Sequence, residues 1–217
     1  FSVGNWYTYN AIPDMKYNLC QIKVTDHSDS SVTVTSNTFW TYPRILTAAV
    51  STTPQIAEYA PTVSWTYTAT NKVSSLDIVL DPNGDGNMGD EVVLETGVAL
   101  NSSPHQTAST LPSTLQANAK IRVRDNAAAY NAKVKQDTSG FKIIGEVTIS
   151  QPTSIAQWRV GETMREVTWT PKGDMGTLTV NYNYGSGYEW LADVAATAGK
   201  WTWEDPSPSI SGIADHI

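Results

Sequence analysis

The stretch Leu80–Val93, LDPNGDGNMGDEVV, is the best candidate for chemistry in the chain. Asp81, Asn83 and Asp85 fall at positions 1, 3 and 5 of a calcium-loop pattern, with Gly86 at the sharp-turn position 6. Hard oxygen ligands at alternating positions converge on one cation. The match then departs: position 12 is Val92, and the acids come earlier, at Asp90 and Glu91. Asn-Gly and Asp-Gly pairs also favour positive φ, so the same residues suit a long acidic hairpin tip. The calcium expectation is a weak site with Asp81, Asn83, Asp85 and Asp90 as side-chain ligands and Glu91 beside them, filled at the millimolar calcium found outside cells.

Other constellations offer less. His27, His105 and His216 fall in different turns, and no motif ties a nucleophile or acid to any of them. Cys20 lies on an apolar-lined strand and suits a small hydrophobe. Glu204 and Asp205 are adjacent, which suits a solvated turn better than a catalytic pair. The chain lacks a nucleophile elbow, a phosphate loop and zinc spacing, and is expected to be no enzyme. The aromatic runs at Trp6–Tyr9, Tyr182–Trp190 and Trp201–Trp203 suit a sugar-stacking platform, with Trp190, Trp201 and Trp203 as its row. A sandwich core is the favoured reading, because alternation puts Trp201 and Trp203 on one face and buried sandwich positions want such residues. Asn101-Ser102-Ser103 is a glycosylation sequon.

Those residues sit on a low-charge framework. Charged residues make up 16% of the chain, and the formal charge is −7 with no basic run. Nucleic acid binding therefore lacks its electrostatic driver, and an anionic membrane surface is disfavoured for the same reason. No run of apolar residues is long enough to span a bilayer as a helix. With one cysteine and abundant Ser and Thr, the composition fits an exported surface protein located outside the cell.

The framework is read as strands. Ser31–Ser36, Leu76–Leu80, Glu91–Glu95, Ala119–Arg124, Ala132–Gln136, Glu146–Ser150, Arg165–Thr170 and Thr177–Asn183 alternate with period two. DPNGDG, PKGDMG, YGSG and TAGK separate them as turns, and NAAAYNAK (126–133) reads as a loop or hairpin.

The chain also repeats itself. VSWT at Val63–Thr66 returns as VTWT at Val167–Thr170, with Trp65 and Trp169 as partners. Ile22 matches Ile121, Phe39 matches Phe141, and NWYTYNAIPD (5–14) echoes KWTWEDPSPS (200–209). The unit is about 100 residues. In that frame residues 1–43 are the back of one repeat, 44–144 a whole repeat, and 145–217 the front of a third. The chain thus reads as a piece of a longer array. Seven or so strands per unit predict an all-β fold of tandem immunoglobulin-like, fibronectin-III-like sandwiches, each plugged by a tryptophan.

Pro152, Trp158, Val160, Gly161, Trp169, Tyr182, Trp190, Gly199, Thr202 and Trp203 carry a further pattern. Val147–Pro206 resembles the Ig-like repeats of secreted bacterial and archaeal surface proteins. It also resembles the N-terminal domain of the fungal cell-wall glucan-assembly and Ser/Thr-rich anchored-protein family. The middle unit departs from the pattern, with Tyr59-Ala60 in place of Val-Gly and HQTAST in place of aromatic-Thr-aromatic. The resemblance implies spacers and surface building blocks.

Three functions follow as expectations. The first is a structural segment of an extracellular array: a surface layer, filament, stalk or adhesin shaft whose partners are other copies or other surface proteins. It would be a beaded rod, and small-angle scattering from a compact globule would count against it. The second is a glycan- or partner-binding module. The third is an accessory domain of a secreted hydrolase. The frame also predicts that residues 1–43 or 145–217 pair with another copy by strand exchange.

Overall fold

The computed structural model describes residues 16–68, 73–87, 89–159, 164–183 and 185–203. Among them the structure is all-β, and its one helical element is a 3₁₀ turn at Ala196–Ala198. The chain forms two compact units. One contains residues up to Thr53, Ala60–Ser109 and Asn118–Gly140; the other contains Pro54–Tyr59, Thr110–Ala117 and the residues from Phe141 onward.

The first unit opens with two small pairings. β1 (Tyr17–Cys20) pairs with β4 (Phe39–Thr41), and β2 (Lys23–Thr25) pairs with β3 (Thr33–Thr35), all antiparallel. Val- and Thr-rich alternation makes β2 and β3. The apolar side chains of Leu19, Ile22, Val24, Val32 and Val34 are nonetheless more than half exposed.

Next comes a three-stranded antiparallel sheet in the order β10 (His105–Gln106), β7 (Thr62–Tyr67), β5 (Ile45–Val50). A second sheet places β8 (Leu76–Asp81) between β9 (Val92–Val98) and β11 (Gln116–Asp125), with β12 (Lys135–Asp137) on the far side of β11. Val63 and Trp65 of β7, Leu76, Ile78 and Leu80 of β8, and Ala119, Ile121 and Val123 of β11 form the core. Trp65 is its largest member. The indole carries an N–H that must find an acceptor once buried, and it donates to the Leu100 carbonyl at 2.8 Å.

The second unit begins with β6 (Gln55–Ile56) running parallel to β13 (Phe141–Ile144). Gly145 alone separates β13 from β14 (Glu146–Gln151). β14 pairs with β15 (Arg165–Lys172), and β15 pairs with β18 (Lys200–Trp203). β16 (Thr177–Asn183) and β17 (Tyr188–Ala195) form a separate hairpin. Trp169 of β15 is 6% exposed and donates its indole N–H to the Ala196 carbonyl at 2.8 Å.

The two tryptophans occupy equivalent places. Trp65 stands opposite Ala48 and Thr66 opposite Thr47; Trp169 stands opposite Ile149 and Thr170 opposite Thr148. The shift is 104 on one strand (65 to 169) and 101 on its neighbour (48 to 149). On the other edge, Val63 pairs with His105 and Thr62 with Gln106, while Val167 pairs with Trp201 and Glu166 with Thr202, a shift of 96 (105 to 201). The same 96 carries Leu100 onto Ala196, the two indole acceptors. The hairpins correspond too: Leu76 opposite Val98 in β8–β9 matches Leu178 opposite Val194 in β16–β17.

Several local expectations change. Ala132–Gln136 is not a full strand; turns closed by Asn131 on Ala127 and Val134 on Tyr130 delay β12 to Lys135. His105 lies on a strand rather than a turn, because it pairs with Val63. Residues 5–14, Glu204, Asp205 and His216 lie outside the described residues.

Candidate metal centre and the ion ladder beneath it

The acidic loop connects β8 to β9, the counterpart of the connection between β16 and β17. Asp81 ends β8 and is 1% exposed. Its two carboxylate oxygens accept from the Gly84 N–H at 2.7 Å and the Gly86 N–H at 2.8 Å. Those contacts need the chain to fold back sharply, and both glycines have positive φ. A Cβ on Gly84 would also overlap the Asn118 carbonyl oxygen.

One carboxylate oxygen each from Asp81, Asp85 and Asp90 lies within 4.8 Å of the others. The Asn83 amide nitrogen donates to Asp90 at 2.8 Å and to Asp85 at 3.2 Å, bridging two like charges. The other Asp90 oxygen is buried with no hydrogen-bond partner. Lys120 holds the Gly84 carbonyl at 2.7 Å and fixes the loop to β11. Of the five residues singled out by spacing, four therefore come together. Glu91 does not. Its carboxylate, 4% exposed, is taken by Arg122 and, at 2.6 Å, by Arg124.

Glu91 leads to a feature that the spacing of acids does not announce. β8 is buried along its whole length. Its core-facing residues pack between the sheets, while Asp77, Val79 and Asp81 point to the other face. Lys120, Arg122 and Arg124 of β11 lie directly opposite Asp81, Val79 and Asp77. Arg122, 1% exposed, is clamped by Asp137 through its Nε at 2.6 Å and Nη2 at 3.0 Å. Arg124 also approaches Asp77 at 3.7 Å, and Asn126 donates to Asp77 at 2.6 Å. Lys16 pairs with the fully buried Asp125 at 2.5 Å.

The charges tune one another. The Asp137 hydrogen bond raises the Arg122 pKa above its ordinary value, against desolvation, helped by the charges of Asp137, Glu91 and Asp81. The same hydrogen bond holds the Asp137 carboxyl below the usual carboxylate range despite burial. The sequence signal was present: LDIVLD has its acids four residues apart and KIRVRD its cations two apart, so each strand carries charge along one face. Period two marks a polar face, but it does not say which distant acids pair with that face.

The histidine with a defined partner is His105, whose ring nitrogen lies 3.0 Å from Glu95. Burial raises the Glu95 pKa, but hydrogen bonds from His105 and the Ala108 N–H outweigh it and leave the carboxyl lowered. No nucleophile joins them among the contacts at this site. His27 is exposed in the turn between β2 and β3. Cys20, on β1, is half-buried against Thr41, with Sγ 3.3 Å from Oγ1.

The stacking candidates divide. Trp201 and Trp203 are half-buried with ring centroids 5.8 Å apart, and Trp203 packs edge-on against Tyr182 at 5.3 Å and Trp158 at 6.3 Å. This cluster bridges β18 and β16. Trp190 is 62% exposed on β17, with Tyr188 exposed two residues before it. Among the described residues no helix is long and apolar enough to cross a membrane. No family model, no curated protein and no solved structure matches the chain.

Proposed function

We propose that this chain is a non-catalytic structural segment of an extracellular protein built from tandem immunoglobulin-like sandwiches. The observation that carries the reading is the repeated sheet: β10-β7-β5 and β18-β15-β14 share strand order, register and a buried indole on the equivalent carbonyl. The run β9-β8-β11, with β12 also paired to β11, and the separate β10-β7-β5 sheet supply the strands expected of a fibronectin-III-like unit. Low charge, a single cysteine and Ser/Thr richness support an exported surface layer, filament or adhesin shaft. Single-molecule pulling tests the modular part. One intact repeat of about 100 residues should release on the order of 300 Å of chain in a single event. Unfolding without a step of that size would oppose the reading. Labelling of intact source cells by an antibody to this chain tests the location.

The loop after β8 supports a calcium lock within this structural role. Asp81, Asp85 and Asp90 supply hard oxygens, and Asn83 lies against two of them. A calcium ion there would offset two of the three carboxylate charges and tie the end of β8 to the residues that lead into β9. A glycan-binding role finds support in the exposed Tyr188 and Trp190. Glycan binding that is lost in Trp190→Ala with folding intact would favour it.

A further inference from the structure

We propose, on the strength of the repeat reading above, that Asp125, Tyr130 and Lys133 of the whole repeat form a docking surface for the segment that precedes it, with Lys16 and Trp40 as the anchors, and that this joint makes the two neighbours open together. The first anchor is a charge. Asp125 closes β11 and is fully buried. Its Oδ1 accepts from the Ala127 N–H at 2.9 Å. Its Oδ2 is buried and accepts no other hydrogen bond among the described residues, so the Lys16 ammonium at 2.5 Å is the charge that answers it. Lys16 is itself only 13% exposed. A buried ion pair adds little net stability, but removing one partner strands a charge in the interior and is strongly destabilising. The whole repeat therefore depends on a residue outside it.

The second anchor is aromatic. The Lys16 ammonium lies 4.4 Å from the centre of the Tyr130 ring. Trp40 meets the same ring edge-on, with centroids 5.7 Å apart, and the Lys133 ammonium lies 4.2 Å from the Trp40 ring centre. β1 and β4 bring the two anchors to one place, because Tyr17 stands opposite Thr41 and each anchor is next to one of that pair. The chain then enters β5 after residues 42–44, with Thr41, Pro43 and Ile45 buried and Tyr42 and Arg44 exposed. An alternating linker with one φ fixed by proline leaves little slack.

The receiving turn is particular to this neighbour. β11–β12 corresponds to β2–β3, with Val24 shifted by 99 to Val123 and Val34 by 102 to Gln136. The turn between the later pair is therefore three residues longer, the difference between those shifts. The added length makes room for the consecutive turns that carry Tyr130 and Lys133, in which the Lys133 and Val134 N–H groups each donate to the Tyr130 carbonyl at 2.8 Å. One repeat further on, shifts of 99 and 102 put Leu115 and Lys142 in the places of Lys16 and Trp40. Leu115 brings no charge, so this lock belongs to one pair of neighbours and favours their order over another.

The test uses the full chain and native-state hydrogen exchange, in which the rate at a protected amide follows the population of the opened state. Lys16→Met should speed exchange at the slowest amides of β8 and β11 at least about tenfold. Adding Asp125→Asn should return them to within about threefold of wild type, because the stranded charge is gone while Ala127 keeps its acceptor. Lys16→Arg should stay within the same range. Coupling is mutual, so Tyr130→Ala should speed exchange at the protected amides of β1 and β4 at least about tenfold. If either increase across the joint stays below that size, or if Asp125→Asn does not relieve the loss from Lys16→Met, the proposal is overturned. A Lys16→Met chain too unstable to measure is decided by the double variant: recovery supports the joint, and failure to recover overturns it. Exchange of the Trp65 and Trp169 indole protons, read on the same samples, tests the repeat itself. Slow indoles without coupling across the joint sink the docking alone; fast indoles sink the repeat and the joint with it.

Discussion

Replacing Trp65 by Phe should remove two things at once. The Leu100 carbonyl loses its 2.8 Å indole donor and stays buried, which costs about 1–3 kcal/mol. The smaller ring leaves unfilled space in the core, worth about 1 kcal/mol more. The sum is about 2–4 kcal/mol, a large share of the ~5–15 kcal/mol that holds a domain folded. With an m-value of ~1–3 kcal/mol per molar, the urea midpoint should fall by about 1 M or more. Far-UV circular dichroism is the assay, because the substitution itself alters fluorescence. Trp190→Phe is the control: at 62% exposure it should change stability by less than ~0.5 kcal/mol. A Trp65→Phe midpoint equal to that of Trp190→Phe would refute the reasoning. Trp169→Phe should lower the protection of amides on β14 and β15 by the same mechanism, since its indole makes the same bond to Ala196.

Other predictions follow from the charged face and its loop. Asp137→Asn should destabilise the first unit by about 3 kcal/mol near neutral pH, because it strips one carboxylate from the buried Arg122. The Asp137 pKa is lowered in the folded state, so its contribution is fully present above the unfolded value of about 3.9 and fades as pH falls through the lowered one. The gap between wild type and Asp137→Asn in urea melts should therefore be flat from pH 5 to 8 and close below pH 4. Gly84→Ala meets both a positive φ and the Asn118 carbonyl, and should cost at least ~1–3 kcal/mol in the same melts. Millimolar calcium should raise the melting temperature, chelator should reverse the rise, and Asp85→Asn with Asp90→Asn should abolish it; a rise unaffected by those substitutions would place the ion elsewhere.

Much of the fold was legible because alternation and turn chemistry act locally. Thr177–Asn183 forms β16 over the whole expected span, and Arg165–Thr170 lies inside β15. The pairing of Trp65 with Trp169 was legible because the interior of a repeated sheet wants the same large ring at the same place. What could not be read is the burial of charge. KIRVRD looks like a solvated face, yet Glu91 and Asp137 pair with Arg122, which is 1% exposed. Glu91 likewise looks like a cation ligand by spacing, while its carboxylate is held by Arg122 and Arg124. Trp201 and Trp203 were ambiguous by alternation, since a stacking face and a core face have the same period. Trp203 packs against Trp158, Tyr182 and Trp201, which places the pair in an aromatic cluster.

Hydrogen exchange of the indole Nε1 protons, followed by nitrogen-edited NMR, tests the repeated tryptophan plug most directly. Two indoles, those of Trp65 and Trp169, should exchange slowly together, because each is buried and bonded to a carbonyl at an equivalent place. The exposed Trp190 indole should exchange at once. Trp65 and Trp169 exchanging as fast as Trp190 would contradict the account.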